Sequence, residues 1–323
     1  MLKTKLRKLI AGSLLVASSL SSAFVQADAS VAITQIVEHP SLDAIRQGVK
    51  DELAERGYVV GKNLSWNYES AQGSPATAAQ VAKKFAGDAP DVIVAITTPS
   101  AQTAVSAARG IPIVFSAVTD PVGAKLVKAL DKPSRWVTGT TDMLPMGKHM
   151  DLVKKIVPNA KAIGVIFNPG EANSVSSVQM VHDTAPARGM KVVEAAATKS
   201  SDVLASARSL VGKVDAIYLP IDNTVISALE AVLKVAEQSN IPVITGDTDS
   251  VNRGAIAAVG FDYYQVGRQT GVIVSRILKG ESPQNIPVEG ISTMDLVINP
   301  AAAERMGVTL PASLIAEAKK VIQ

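Results

Sequence analysis

DVIVAITTPSAQTAVSAARGIPIVFSAVTDPV, residues 91–122, and DAIYLPIDNTVISALEAVLKVAEQSNIPVITGDTDSV, residues 215–251, are two versions of one pattern. Each begins with Asp and an apolar run, breaks at a polar turn, continues as an Ala-rich helical stretch, and adds a second apolar run that starts with Ile-Pro. When the initial Asp residues are aligned, Thr98 falls opposite Asp222. The pattern predicts two similar α/β halves, and a short helix is predicted over residues 122–130.

The apolar runs predict parallel strands that are buried on both faces. Short apolar runs bounded by turn residues and separated by helical patterns are typical of βαβ units. In such sheets, small ligands bind beyond the carboxyl ends of the strands, where helix N-termini present free N–H groups. If the halves face each other, one cleft is lined by the polar residues that follow these strands: Thr98, Ser100, Ser116, Asp222, Asn223, Thr224, Asp247 and Asp249.

Composition argues against several classes of protein. The 323 residues are 47% hydrophobic and 4% aromatic, which suits two α/β domains with cores of Ala, Val, Ile and Leu. The formal net charge of +3 includes four basic residues before position 9, and without them 28 basic residues face 29 acidic ones. This balance argues against binding to nucleic acid or to an anionic membrane surface.

Residues 1–27 have the organisation of a secretory signal peptide. A basic start, KTKLRK, precedes the apolar stretch LIAGSLLVASSL and the cleavage site Val25-Gln26-Ala27. A membrane anchor is the alternative, but the apolar stretch is short for a bilayer span and rich in Ser and Gly. The chain has no Cys, which excludes a Cys-linked lipid, disulfides and thiolate chemistry. We therefore expect export to the periplasm, removal of the first 27 residues and no lipid anchor.

Motifs of enzymatic chemistry are missing from the sequence. There is no GxGxxG after the first strand, no GxxxxGK[ST], no GxSxG and no HExxH. His39, His149 and His182 are scattered, so a catalytic triad or a metal site built on them would require a coincidence of folding. We expect a binding protein that is not an enzyme and that uses neither a cofactor nor a metal.

Four stretches resemble the ABC transporter substrate-binding proteins of the tryptophan/tyrosine type: IVEHPSLDAIRQGVKDELAERGY (36–58), TTPSAQTA (97–104), FSAVTDPVGAKLV (115–127) and GDTDSVNRGAIAAVGFDYYQVG (246–267). Their order and spacing are specific, and the resemblance extends over essentially the whole chain after residue 27. It implies the type I periplasmic-binding-protein fold, an α/β architecture of two similar doubly wound parallel-sheet lobes joined by three crossings. The N-terminal lobe is then expected to comprise 28–140 and 259–290, and the C-terminal lobe 141–258 and 291–323.

The resemblance also implies a function. Such proteins are non-enzymatic receptors that capture a small solute between their lobes, close around it and deliver it to a membrane permease powered by an ATPase. Characterised relatives are associated with aromatic amino acids, so tryptophan, phenylalanine or tyrosine is the expected ligand. Two alternatives stay open: an importer receptor for a different small solute, and a sensory receptor that presents its ligand to a membrane kinase or chemoreceptor.

The first half supplies candidate contacts for a ligand carboxylate. In related amino-acid receptors, Ser and Thr at the ends of adjacent strands hold this group, and Thr98, Ser100 and Ser116 match that placement. Ala101 belongs to the first turn of the following helix, whose dipole favours an anion. The alternative for Ser100 is an N-cap that only satisfies the helix end.

The second half supplies candidate contacts for a ligand ammonium group. A charge buried in a closing cleft must be paired, and Asp222 and Asp247 lie nearest to the predicted strand ends. Asp249 and Asp120 share a Thr-Asp-x-Val repeat and can act as turn caps instead. Asn223 and Thr224, which follow the same strand end as Asp222, complete this part of the predicted site. Carboxylate recognition on one lobe and ammonium recognition on the other would make closure depend on the ligand.

Aromatic residues near strand ends are candidates for contact with an aromatic ligand. Phe167 and Phe261 are the preferred ones, since a ligand ring favours stacked or edge contacts. With so few aromatic residues in the chain, core packing is the alternative for both. Glu38 and His39 follow the first predicted strand and either reach the ligand or belong to a solvated loop.

Overall fold

The computed structural model describes residues 29–291 and 293–322, so the predicted signal peptide lies outside the described residues. Within them, thirteen strands form two sheets and twelve α-helices accompany the sheets. The strands are β1 Ala29–Gln35, β2 Leu64–Ser70, β3 Val92–Ile96, β4 Ile113–Ser116, β5 Val137–Thr141, β6 Ala162–Phe167, β7 Lys191–Ala196, β8 Ala216–Leu219, β9 Val243–Thr245, β10 Ala257–Gly260, β11 Glu289–Gly290, β12 Asp295–Ile298 and β13 Lys320–Val321. The helices are α1 Pro40–Glu55, α2 Pro75–Asp88, α3 Thr98–Ala107, α4 Met146–Ile156, α5 Ala172–Thr184, α6 Val203–Leu210, α7 Asn223–Ser227, α8 Leu229–Ser239, α9 Asp249–Asn252, α10 Tyr263–Leu278, α11 Pro300–Arg305 and α12 Ala312–Glu317. None of the described helices combines the length and the apolar character that a membrane span needs.

The two sheets repeat one internal strand order. The first sheet runs β11-β5-β4-β3-β1-β2, and all its neighbouring strands are parallel. The second runs β13-β12-β10-β9-β8-β6-β7, and only its β10/β12 pair is antiparallel. The order β5-β4-β3-β1-β2 is therefore matched by β10-β9-β8-β6-β7. This match confirms the predicted fold of two similar parallel-sheet α/β lobes.

The chain passes between the lobes three times. It leaves the first sheet after β5 and enters the second lobe at α4. It leaves the second sheet after β10 and enters α10, which packs against α1 and β4 of the first lobe. After β11 it returns to the second sheet at β12. Because Val259 and Gly260 still pair with β12, the second crossing falls after residue 260 and not after residue 258.

Strand β3 shows why the strands read as continuous apolar runs. Val92, Val94 and Ile96 pack in one layer of the first-lobe core, while Ile93 and Ala95 pack in the layer on the other side of the sheet. Successive side chains of a strand point to opposite faces, so both faces of this strand are buried. A parallel sheet covered by helices on both sides therefore needs apolar residues at every position.

Residues 122–130 form turns, and the helix predicted there is wrong. Asp120 Oδ1 accepts a hydrogen bond from Gly123 N at 2.8 Å, which closes the first turn. Lys125 has a φ of 61°, a left-handed value that does not continue a right-handed helix. Leu126 is nevertheless buried in the first-lobe core, so the apolar spacing reflects burial without a helix.

Helices α1 and α10 approach each other to backbone contact. A Cβ atom added at Gly48 would lie 2.2 Å from Tyr264 O, and one added at Gly267 would lie 2.1 Å from Ile45 O. These distances are far below van der Waals contact, so glycine alone permits the approach. The contact sets the position of Tyr263, the first residue of α10, which follows the second crossing.

We expect Gly267→Ala to lower the free energy of unfolding by about 1–3 kcal/mol, because the added methyl group forces the two helices apart. Thermal unfolding measures this loss as a lower Tm. The matched control is Gly87→Ala in α2, where an added Cβ meets no atom within 4 Å. The control should leave stability unchanged or raise it by up to about 1 kcal/mol through helix propensity. Equal Tm values for Gly267→Ala and wild type would contradict the described helix contact.

Candidate ligand-binding site

A cavity lies between the lobes, beyond the carboxyl ends of strands from both sheets. It contains about 380 Å³ of space not occupied by protein atoms, including space that is open to solvent. It is lined by His39, Ser41, Leu42, Thr97, Thr98, Ala117, Thr119, Asp142, Asn173, Ile221, Asp222, Asn223, Ile226, Asp247 and Tyr263. Three Asp residues belong to this lining, and neither Lys nor Arg does. No group of three or more His, Asp or Glu among the described residues is placed to hold a metal ion.

The first-lobe wall of the cavity is built by the residues that follow β3 and β4. Thr97 has φ 78° and ψ 163°, and Ala117 has φ 52°. A β-branched residue in such a conformation is strained by about 1–3 kcal/mol, and strain of this kind concentrates at binding sites. Thr97 N donates to Ser116 O at 2.9 Å, so the pairing of the two strands holds the strained turn in place.

This wall presents hydrogen-bond donors to the cavity. The hydroxyl groups of Thr97 and Thr98 are buried and have no hydrogen-bond partner among the described residues. Thr98 is the first residue of α3, and the initial N–H groups of a helix have no acceptor within it. Hydroxyl and N–H donors at the positive end of a helix dipole suit an anion. This end of the cavity can therefore bind a carboxylate.

His39 and Ser41 reach the cavity from the start of α1. His39 Nδ1 is buried without a hydrogen-bond partner in the described part of the chain. Burial, and then the nearby charge of Arg253, lowers the pKa of His39 to about 3, so the ring is neutral at neutral pH. Ser41 Oγ donates to Asp247 Oδ1 at 3.1 Å. This hydrogen bond joins the two lobes, so it requires a closed cleft.

Asp222 follows β8 and caps α7. Its carboxylate accepts hydrogen bonds from Val225 N at 2.8 Å, Asn168 N at 2.6 Å and Ser174 Oγ at 2.5 Å. Burial, and then the charge of the neighbouring Glu171 carboxylate, raises the pKa of Asp222. Asp222 thus organises the second-lobe wall in addition to facing the cavity.

Glu171 holds the adjacent residues of the second-lobe wall. Its carboxylate accepts hydrogen bonds from Thr224 Oγ1 at 2.7 Å, Asn223 Nδ2 at 2.5 Å and Asn173 Nδ2 at 3.2 Å. Asn173 Nδ2 also donates to Ile221 O at 3.0 Å, which fixes the orientation of this amide. The amide oxygen of Asn173 remains buried without a donor among the described residues. It can accept a hydrogen bond from a ligand.

Asp247 follows β9 and lies just before α9. It accepts hydrogen bonds from Ser250 N at 2.9 Å and from Ser250 Oγ at 2.6 Å, in addition to the one from Ser41. Like Asp222, it satisfies groups at the start of a helical turn. Its carboxylate is therefore well supplied with donors before any ligand arrives.

Asp142 and Tyr263 face the cavity from two of the crossings. Asp142 directly follows β5, and Tyr263 OH donates to Asp142 Oδ2 at 3.1 Å. Thr119 Oγ1 donates to Asp142 Oδ1, also at 3.1 Å. Burial raises the pKa of Asp142 to about 6. The carboxyl group of Asp142 is thus a titratable group at the junction of the lobes.

Four of the residues predicted from the sequence line this cavity: Thr98, Asp222, Asn223 and Asp247. They follow β3, β8 and β9, the strand ends from which they were predicted. Their contact with a ligand stays a prediction. Six other predicted residues lie outside the lining: Ser100, Ala101, Ser116, Phe167, Thr224 and Phe261.

Local geometry explains each of these six positions. Ser100 is the third residue of α3, not its N-cap, and residues two apart on a helix face different directions from Thr98. Ser116 Oγ bonds to Thr270 Oγ1 at 2.7 Å, and Thr224 is held by Glu171. The remaining three pack in hydrophobic cores: Ala101 and Phe261 in the first lobe, and Phe167 against the core of the second.

Several residues of the lining were not predicted. The hydroxyl of Thr97 could have been found, because Thr97 precedes Thr98 in the same turn. Asp142 directly follows Gly139-Thr140-Thr141, the end of β5, and a charged residue just after a strand end is a usable signal. Tyr263 and Asn173 lie in helical segments whose sequence contains no sign that they face a cavity.

Comparison with known proteins gives consistent results. Residues 30–322 match the sequence profile of the family described as ABC transporter substrate binding protein. Over 270 residues the chain is 43% identical to a tyrosine-binding protein of Clostridioides difficile (strain R20291), which covers 84% of this chain and 78% of that protein.

Two solved structures of similar proteins differ in how well they superpose on this chain. An ABC domain from Streptococcus pneumonia in complex with L-Trp is 35% identical and has a TM-score of 0.88, covering 91% of this chain and 100% of that one. The ligand-free, open structure of a substrate-binding protein with adhesive properties from Clostridium difficile is 40% identical, covers 91% and 99%, and has a TM-score of 0.68. The open structure is more similar to this chain in sequence than the tryptophan complex is, yet it superposes on the chain less well. The lobes of this chain are therefore arranged as in the tryptophan complex and not as in the open structure.

The closed arrangement agrees with the hydrogen bond between Ser41 and Asp247 across the cleft. Substrate-binding proteins of ABC importers are not enzymes; they bind a small molecule outside the cytoplasm and pass it to a membrane permease. The two similar lobes, the cavity between them and the match over residues 30–322 establish that this chain belongs to the family of ABC transporter substrate-binding proteins.

Proposed function

We propose that this protein is the receptor of an ABC importer that captures an aromatic amino acid, such as tryptophan, phenylalanine or tyrosine, in the interlobe cavity. The observation that carries the proposal is the uneven distribution of polar groups around the cavity. Two buried hydroxyl groups without partners belong to the turn that starts α3, whereas the three carboxyl groups of the lining belong to the segments that follow β5, β8 and β9. A zwitterionic amino acid presents the complementary pair of groups, a carboxylate and an ammonium.

The carboxylate end of this arrangement is the start of α3. Thr98 Oγ1, Thr97 Oγ1 and the free N–H groups of the first helical turn are donors, and no acidic side chain is needed there. The ammonium end is acidic, because a buried cation requires a carboxylate or several carbonyl groups. Asp222 and Asp247, the two candidates from the sequence, belong to the second lobe, and Asp142 adds a third carboxyl group.

The ligand side chain meets an apolar part of the lining. Leu42 comes from the first lobe, Ile221 and Ile226 come from the second, and the ring of Tyr263 comes from a crossing. Aliphatic side chains and one phenol ring suit an aromatic side chain through burial of apolar surface. The tyrosine-binding relative and the L-Trp complex support this class of ligand.

Closure of the lobes is the step that encloses the ligand. A ligand drives closure only when it binds the closed form better than the open form, and here both lobes contribute groups to the cavity. We place the protein in the periplasm after removal of residues 1–27, where the closed form is recognised by a membrane permease. Without Cys the chain has no site for a Cys-linked lipid.

A thermal-shift screen tests the proposed ligand class. The mature chain is unfolded and refolded to remove any bound solute, then mixed with each amino acid, and with sugars, nucleosides and polyamines. A ligand at about a thousand times its dissociation constant stabilises the protein by roughly 4 kcal/mol, so Tm should rise by several degrees with aromatic amino acids. A shift with sugars or nucleosides, and with no amino acid, would overturn the proposed ligand while leaving the two-lobed receptor intact.

We expect Thr98→Val to weaken binding of the amino acid about tenfold to a hundredfold, because a hydrogen bond to the charged carboxylate is lost. Isothermal titration calorimetry measures the change. The control is Thr103→Val, the same substitution on the same helix, where the hydroxyl bonds to Pro99 O and Ser100 O and does not face the cavity. Equal affinity of Thr98→Val and Thr103→Val would remove Thr98 from the proposed carboxylate site.

Ser41→Ala should shift the equilibrium towards the open form, because it deletes a hydrogen bond that the closed form alone contains. One hydrogen bond contributes about 1 kcal/mol, so we expect a loss of about fivefold in affinity and a larger radius of gyration in small-angle X-ray scattering at limiting ligand. Ser201→Ala, at an exposed position of the second lobe, is the control. An unchanged affinity for Ser41→Ala would show that this interlobe bond does not contribute to closure.

A further inference from the structure

Asp142 differs from the other two Asp residues of the cavity in how its charge is compensated. Asp222 and Asp247 each accept three hydrogen bonds, and at least one of these comes from a backbone N–H group. Asp142 accepts hydrogen bonds from two hydroxyl groups of other residues, Thr119 Oγ1 and Tyr263 OH, both at 3.1 Å, and its own backbone N–H also stabilises the carboxylate. A carboxylate offers about four acceptor positions, so Asp142 retains free capacity.

The side chain of Asp142 has no exposed surface, at 0%. The lining of the cavity includes no Lys or Arg that could neutralise it. Ionising a carboxyl group in such a place is unfavourable, and this burial is the cause of its raised pKa of about 6. A cation brought into the cavity by the ligand would compensate the charge.

Other polar groups show independently that the cavity is built for a polar ligand. Thr97 Oγ1, Thr98 Oγ1 and Asn173 Oδ1 line the cavity, each in a side chain that is more than nine-tenths buried, and they have no partner among the described residues. Buried polar groups are normally hydrogen-bonded, so orphaned groups that face a common space indicate a missing partner. The two hydroxyls lie at the start of α3, at the carboxylate end of the cavity.

Tyr263 ties Asp142 to a second crossing. Asp142 follows β5, where the chain leaves the first lobe, whereas Tyr263 opens α10, where the chain re-enters it. The pKa of Tyr263 is raised well above its usual value by burial and then by the carboxylates of Asp142 and Asp247. Its hydroxyl therefore stays protonated and remains a donor to Asp142.

We propose that Asp142 is the residue that binds the ligand's ammonium group, and that Tyr263 is the positioning residue that orients the Asp142 carboxylate through its hydroxyl. The proposal rests on the proposed function, since it assumes an amino-acid ligand. It assigns Asp222 mainly to the structure of the second-lobe wall, because that carboxylate already caps α7 and accepts three hydrogen bonds. Because Asp142 and Tyr263 belong to different crossings, binding of the cation favours the closed arrangement of both.

The test compares each aromatic amino acid with its analogue that lacks the ammonium group: tryptophan with 3-(indol-3-yl)propionate, tyrosine with 3-(4-hydroxyphenyl)propionate and phenylalanine with 3-phenylpropionate. Affinities are measured by calorimetry for wild type, Asp142→Asn, Asp222→Asn and Asp247→Asn. Wild type should prefer the amino acid by about a hundredfold, since the buried charge pair exists only with the ammonium group. Asp142→Asn should reduce this preference below about tenfold by weakening amino-acid binding alone, and it should reduce the preference more than Asp222→Asn or Asp247→Asn does.

The analogues also serve as the control for folding. An unchanged affinity of Asp142→Asn for the deaminated compound shows that its cavity is intact. Retention of the wild-type preference by Asp142→Asn, or a larger loss of it in Asp222→Asn or Asp247→Asn, would overturn the assignment. If wild type binds none of the amino acids, the proposed function fails and the assignment fails with it; if wild type binds one and Asp142→Asn discriminates equally well, the assignment alone fails.

The pH dependence of binding separates positioning by Tyr263 from a structural role. The other titratable groups of the lining are His39 from α1, Asp222 from α7, Asp247 before α9 and Tyr263 itself. Wild-type affinity should fall up to about tenfold per pH unit below pH 6, because the ammonium group requires ionised Asp142. Burial and the nearby Glu171 carboxylate also raise the pKa of Asp222, so the Asp142 component is the part of the fall that is lost in Asp142→Asn.

Tyr263→Phe should move the midpoint of the affinity profile to higher pH, since loss of the donor destabilises the ionised carboxyl group. The midpoint in Tyr263→Phe tests the positioning role of Tyr263 even if Asp142→Asn does not fold. An unchanged midpoint in Tyr263→Phe would refute the positioning role.

Discussion

Burial of polar groups without partners is the constraint on which the closed structure depends. The hydroxyls of Thr97 and Thr98 and the amide oxygen of Asn173 are inaccessible to solvent and lack partners among the described residues. Water satisfies such groups when the cleft is open, so closing an empty cleft is penalised for each of them. A solute that bonds to groups of both lobes removes the penalty. Capture of a solute and closure of the lobes are thus two aspects of one equilibrium.

The groups that face the cavity are held by rigid surroundings. Thr97 keeps its strained conformation because its N–H bonds to β4 through Ser116 O. Behind it, the hydroxyls of Ser116 and Thr140 both approach Thr270 Oγ1, at 2.7 Å and 3.2 Å, and so connect β4, β5 and α10. On the second lobe, Glu171 and Asp222 satisfy the start of α7. Each lobe therefore presents a preformed half-site, and closure changes the relation between the halves more than the halves themselves.

The repeat in the sequence was informative about the site because the site lies at equivalent positions of the two halves. Thr98 and Asp222 align in the repeat, follow the equivalent strands β3 and β8, and both line the cavity. Residues farther along a helix or still inside a strand did not follow this rule. Ser100 turns away on α3, and Ser116 bonds to Thr270 beneath the wall. A strand-end argument identifies loops that line the cavity, but the direction of a side chain depends on its exact position in the turn.

The sequence by itself determined the two similar α/β lobes and the loops that follow their strands. These features follow from the alternation of apolar runs and helical patterns, because burial of side chains within each βαβ unit is a local property. Contacts between distant residues were decided only by the tertiary structure. Tyr263 meets Asp142 across 121 positions, and Ser41 meets Asp247 across 206. Such pairs arise from the path of the crossings and from the closure of one lobe on the other. The path of the chain and the closure of the lobes do not produce a periodic pattern in the sequence.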